Sequence, residues 1–105
     1  MTWAKTKYIK PPKIGIREED RPKLRLRLAA MLYNRGKIIY TMDEIMEMVN
    51  DPLFKDGLIP SGARWKKTDI NRALYDLQER GVISIGGEGI EVHPIIEKFL
   101  ERGGW

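Results

Sequence analysis

Between positions 64 and 78 the chain gathers side chains suited to one kind of chemistry, the recognition of a polyanion that carries readable edges. Arg64, Lys66 and Lys67 supply cations, and Thr68, Asn71, Arg72, Tyr75 and Gln78 supply hydrogen-bond donors and acceptors. Lys and Arg suit phosphate oxygens, whereas Asn, Gln and Arg can pair two-pronged with the edges of bases. Covalent chemistry has far less to draw on. Glu44 and Glu47 share a helical face, but with no neighbour to polarise a base they read as solvated surface. Ser61 and Ser84 sit in no nucleophile-elbow pattern, and His93 reads as a strand-end residue. Gly86-Gly87-Glu88-Gly89 lacks the Lys-Ser/Thr that completes a phosphate-binding loop, so a tight turn is its better account. No enzyme is expected. With no cysteine and a single histidine, neither a disulfide nor a metal site is expected, and no cofactor.

Those polar residues need a helix to align them, and the spacing predicts one over about 68–80. Ile70, Ala73, Leu74 and Leu77 recur at i, i+3, i+4 and i+7, which stacks them on one face destined for a core. The other face then carries Thr68, Asn71, Arg72, Tyr75 and Glu79. Thr68 or Asp69 is the expected N-cap, because a short side-chain oxygen can accept from the unpaired amides of a first turn. Gly81 ends the helix, and Val82-Ile83-Ser84-Ile85 and Ile90-Glu91-Val92 form two short apolar strands around the glycine turn.

Helix, glycine stop and glycine-tipped hairpin in succession resemble the second half of a winged helix-turn-helix domain, with LYDLQERGVISI as the exit of its recognition helix. KKTDINRALYDL is also similar to the recognition helix of the Z-form nucleic-acid-binding winged domains, whose Asn-Arg followed three residues later by Tyr is matched by Asn71, Arg72 and Tyr75. In that subfamily these residues touch the nucleic acid. Its wing is rich in proline and carries a tryptophan, which Gly86-Gly87-Glu88-Gly89 does not match, so the resemblance implies the superfamily and not Z-form specificity. It covers roughly half the chain. The fold class it implies is α+β: three core helices, a small antiparallel hairpin sheet and a short C-terminal helix.

The remaining chain supplies the other elements. Glu18-Glu19-Asp20 before Arg21-Pro22 opens a helix that runs to about Arg35. Leu24, Leu28, Met31 and Leu32 form one stripe along it, and Leu26, Ala29, Ala30 and Tyr33 a second, which calls for the C-terminal helix, the arm or another subunit. A homodimer through residues 22–35 and the C-terminal helix is the expected use. After Gly36, Lys37-Ile38-Ile39-Tyr40 reads as a third strand, and Thr41 with Glu44 makes a capping box for a helix facing Met42, Ile45, Met46 and Val49 inward. The segment from Asn50 to Arg64 is much longer than a helix-turn-helix turn. Within it Asp51-Pro52 could start a helical turn with Leu53 and Phe54 plugging the core, and Ser61 offers a cap if the reading helix begins early. Ile95, Ile96, Phe99 and Leu100 mark a final helix, stopped by Gly103-Gly104, and Trp105 has no evident role. The expected core also includes Ile83 and Ile90.

Charge divides the chain. Lys5, Lys7, Lys10, Lys13 and Arg17 give residues 1–17 a charge of +5 with no acid, which leaves residues 18–105 at −1 out of the total of +4. With Pro11-Pro12 and no sustained periodicity, residues 1–17 are expected to form a basic flexible arm, whose Lys5, Lys7 and Lys10 meet phosphates, ahead of a winged-helix domain at 18–105. No run of about 18 apolar residues and no apolar signal core occur, so neither a membrane partner nor export is expected and the chain should stay in the cytoplasm. Charged residues at 32% and the absence of cysteine lean toward a thermophile. The function these features point to is double-stranded DNA binding by a transcriptional regulator. The alternative is a winged-helix interaction subunit of replication, transcription or ribosomal machinery.

Overall fold

Local signals set the bounds of most of the helices. A computed structural model describes residues 12–105, so Lys5, Lys7 and Lys10 lie outside the described residues. A 3₁₀ turn at Glu18–Asp20 leads into helix α1, Arg21–Arg35, which has Pro22 in its first turn. It stops at Gly36, whose φ of 74° lies where a Cβ would clash. Helix α2, Met42–Val49, starts at the capping box: Thr41 Oγ1 accepts from the Glu44 N–H and the Glu44 carboxylate accepts from the Thr41 N–H, both at 3.1 Å. The Lys37 ammonium and the Thr41 amide together hold the Glu44 carboxyl below its ordinary pKa. One turn of helix, α3, Pro52–Lys55, follows, capped by Asp51, which accepts from the Leu53 N–H at 2.9 Å. Then come α4, Lys67–Glu79, and α5, Ile96–Glu101.

Strands β2, Ile39–Tyr40, β4, Ile83–Gly86, and β5, Gly89–Val92, form an antiparallel sheet in the order β2-β5-β4. The register sets Tyr40 opposite Ile90 and Ile85 opposite Ile90 from the other side, while Ile39 and Ser84 both face Glu91. Alternation does the rest: Tyr40, Ile83 and Ile90 are buried and Glu91 is exposed. Gly89 has φ 128°, and a Cβ there would be driven into the Tyr40 carbonyl oxygen. The close approach of β2 to β5 therefore needs a glycine at this position.

Leu24, Leu28 and Leu32 of α1, Ile45 and Val49 of α2, and Ile70, Leu74 and Leu77 of α4 meet Trp65, Ile83, Ile90, Ile96 and Phe99 in one core. Met31, Met42 and Met46, all expected to face inward, are half-buried at its edge. No helix of the described residues is long and apolar enough to cross a membrane.

Residues 12–17 depart from the expected arm. Lys13–Ile14 form β1, paired in parallel with β3, Arg64–Trp65, and Ile16 is buried. This portion belongs to the folded body because its partners lie some 50 residues away, where local pattern gives no hint. Of the two residues expected to plug the core from α3, only Phe54 does so; Leu53 is 87% exposed. The second stripe of α1 is largely used within the chain, since Leu26 packs toward Phe99 and Gly104 of the C-terminal segment and Ala29 is buried, leaving Tyr33 43% exposed. That removes most of the apolar surface that motivated a homodimer. Trp105 also has a place, edge-on to Phe99 at 5.5 Å, with its carbonyl accepting from Arg80 Nε at 2.7 Å.

Two substitutions check this packing by urea unfolding. Leu74→Ala should cost roughly 2–5 kcal/mol, as truncation of a fully enclosed leucine does; a loss below about 1 kcal/mol would mean that this face of α4 does not point inward. Gly89→Ala should cost roughly 1–3 kcal/mol through backbone strain and should weaken the β2–β5 pairing.

Candidate functional site

Helix α4 is fixed at both ends, but only its C-terminal end carries a conventional cap. Its N-cap is Lys66, with no side-chain hydrogen bond to the first turn. Thr68 is exposed and does not cap, and Asp69 is buried inside the first turn. Asp69 instead accepts from the Ile16 N–H at 3.0 Å and from Arg21 Nη2 at 3.3 Å. The carboxylate expected to start the helix thus ties the N-terminal strand and α1 to it. Just ahead, Trp65 Nε1 donates to the Val49 carbonyl at 2.6 Å and the Trp65 N–H donates to Asn50 Oδ1 at 3.0 Å, which joins the start of α4 to the end of α2. At the other end Gly81 adopts φ 77°, and the Val82 N–H returns to the Leu77 carbonyl at 3.2 Å.

The long connection between α2 and α4 is held by cations. Lys55 is buried, and its ammonium donates to the carbonyls of Ser61 at 2.6 Å and Ala63 at 2.8 Å. Arg27 donates to the Phe54 carbonyl at 2.9 Å and also to that of Asp56. Buried backbone carbonyls require such donors, and here side chains supply them. Ser61 takes no part in starting α4.

On α4 the polar residues fall into three rows. Thr68, Arg72, Tyr75 and Glu79 form the exposed outer row, and Tyr75 is 54% exposed. Asn71 and Gln78 lean to one edge and are half-buried against the hairpin. Gln78 Oε1 accepts from the Ile85 N–H at 2.7 Å, so its carbonyl is committed to holding the hairpin. Lys67 and Asn71 line a groove of about 480 Å³ with Thr41, Met42 and the hairpin tip. Asp69 and Asp76 occupy the opposite edge, where Asp69 meets Arg21 and Asp76 lies 3.8 Å from Arg25. The sequence pattern groups Asn71 with Arg72 and Tyr75; the helix turns Asn71 toward the hairpin and leaves the other two facing outward.

Charge is unevenly spent around this surface. Glu18 lies 3.1 Å from Arg21 Nε and 3.7 Å from Arg72 Nη1, an exposed contact that holds Arg72 only weakly. Arg64, Lys66 and Lys67 are exposed and have no carboxylate within 4.0 Å among the described residues. The fold adds a residue that sequence spacing did not single out. Lys13, also exposed and without such a partner, stands in register beside Arg64. Its lysine-rich neighbourhood was visible in sequence, but its place beside α4 depends on the β1–β3 pairing. Among the sequence-predicted residues, the structure exposes Thr68, Arg72 and Tyr75 on the outer row and Arg64, Lys66 and Lys67 at the start of the helix, sets Asn71 on the hairpin edge, and commits the Gln78 carbonyl to the hairpin.

Asp69→Ala should leave the Ile16 amide and Arg21 Nη2 without their acceptor and cost about 1–3 kcal/mol. Hydrogen exchange should accelerate at Ile16 before it does in the sheet; equal protection of Ile16 in both proteins would refute this anchoring.

In comparisons with family models, with curated proteins and with solved structures, nothing matched this chain.

Proposed function

We propose that the chain is a winged helix-turn-helix protein that binds double-stranded DNA, with α4 as its recognition helix and the β4–β5 hairpin as its wing, and that it acts as a transcriptional regulator. In this reading α1, α2 and α4 are the three core helices, β2 completes the wing sheet, and α3 with the following loop is an insertion in the turn. The observation that carries it is the outer row of α4, where Thr68, Arg72 and Tyr75 stand exposed beside the carboxylate-free cations Arg64, Lys66 and Lys67. A helix of this kind fits the roughly 12 Å width of a major groove, where Arg reads guanine and Asn reads adenine by paired hydrogen bonds. Lys66 and Lys67 would set its register through phosphates. Tyr75 offers a flat apolar ring with a hydroxyl at the same height.

A second reading, a protein-interaction subunit, draws on a different surface. Leu53 stands 87% exposed beside a groove lined by Ala30, Met31, Met48 and Phe54. That reading needs no contact through α4.

Selection from a random duplex pool separates the two. An enriched sequence is expected, and Asn71→Ala or Arg72→Ala should lose roughly 1–3 kcal/mol of preference at particular base pairs while the fold, followed by circular dichroism, stays intact. If both variants match the parent in affinity and preference, α4 is not the reading surface and the interaction subunit is favoured.

A further inference from the structure

The two elements that flank α4 carry opposite charge. On one side lies the hairpin, and within Ile83–Val92 its only ionisable residues are Glu88 and Glu91, both exposed. On the other side, marked by Asp69, lies the β1–β3 ribbon. Lys13 and Arg64 are register partners there, so their side chains leave the ribbon on the same face. The alternate face carries Trp65 into the core. The ribbon is held by the Arg64 N–H donating to the Pro12 carbonyl at 2.9 Å and by the Ile16 N–H donating to Asp69. The acids that follow in sequence are occupied elsewhere: Glu19 and Asp20 pair with Arg17, and Glu18 lies between Arg21 and Arg72.

We propose that the phosphate backbone of duplex DNA is gripped on the ribbon flank of α4, by Lys13 together with Arg64, and not by the hairpin. This rests on the DNA-binding reading and adds to it a direction. A phosphate beside the hairpin tip would meet Glu88, with Lys67 of α4 the one cation lining that groove, whereas one beside the ribbon meets two cations that no carboxylate neutralises. The hairpin then serves to brace α4 through Gln78 and the groove around Asn71, with the DNA strand running past the opposite edge. Lys13 becomes a contact residue, fixed by the fold and not by a disordered reach.

The test is the salt dependence of binding of the full chain to a labelled random-sequence duplex, from about 50 to 200 mM KCl. Lys13→Gln and Arg64→Gln should each lower the slope of log affinity against log salt by about 0.9, and the double variant by about twice that, as loss of one and two phosphate contacts requires. Lys13→Arg and Arg64→Lys should keep the parental slope, and Glu88→Lys should leave it unchanged. Circular dichroism and thermal melting establish that each variant is folded. An unchanged slope in the folded double variant, or a rise of about 0.9 in Glu88→Lys, would overturn the proposal. If that happens while Asn71→Ala and Arg72→Ala still erase base preference, the DNA-binding reading survives and only the direction of grip is wrong. If the parent itself shows no salt-dependent binding to duplex, both fall together.

Discussion

Trp65 decides where α4 begins, and most of the architecture follows from that. Its indole is 2% exposed, stacks edge-on against Phe54 with ring centres 6.2 Å apart, and spends its one N–H on the last carbonyl of α2. A buried indole contributes a large apolar area, and an unmet N–H there would be costly, so the ring has one good position. Asn50 completes the joint by accepting from the Trp65 amide while donating to the Met46 carbonyl at 2.7 Å. The end of one helix and the start of another are thereby coupled across the 17-residue connection 50–66. Because Trp65 points inward, Arg64 before it and Lys66 after it are set in solvent by simple alternation.

The polar residues of α4 show how one helix can be held without losing its outer surface. Its two edges are committed: Gln78 to the hairpin, Asp69 and Asp76 to arginines of α1. Each bond immobilises the helix about its own axis, so the exposed row cannot roll toward the core. The core side contributes only apolar groups, with Ile70, Leu74 and Leu77 essentially fully enclosed. The unbound charges are then concentrated at the start of the helix, where the chain enters from β3.

Features written in adjacent residues were legible in sequence. The stripe of Ile70, Ala73, Leu74 and Leu77, the Thr41–Glu44 box, the stops at Gly36 and Gly81, the hairpin and the third strand all depend on spacings of a few residues, and the structure has them. The misread residues are those whose partners lie in another element. Asp69 carries the signature of a cap, yet its acceptor capacity goes to Ile16 and Arg21, which no local rule connects to it. Gln78 has the chemistry of a base reader but sits one edge too close to β4. Leu53 and Phe54 are both apolar, and which of them turns inward depends on where Trp65 already lies. As for the candidate site, the identity of its residues was visible, whereas the division of α4 into rows and the addition of Lys13 required the fold.

The Ile16–Asp69 bond joins positions 53 apart in sequence, and this bears on how the molecule folds and breathes. Closing a flexible loop of that length costs on the order of 3–4 kcal/mol in chain entropy, which a two-residue ribbon and one charge-assisted bond barely offset on their own. The closure becomes favourable once the helices have already brought the ends together. The ribbon should accordingly be the last element to dock during folding and the first to open in the native state, as a local unit that detaches while the sheet and helices remain intact. A contact mounted on it would have its own lifetime, shorter than that of the body to which it is attached.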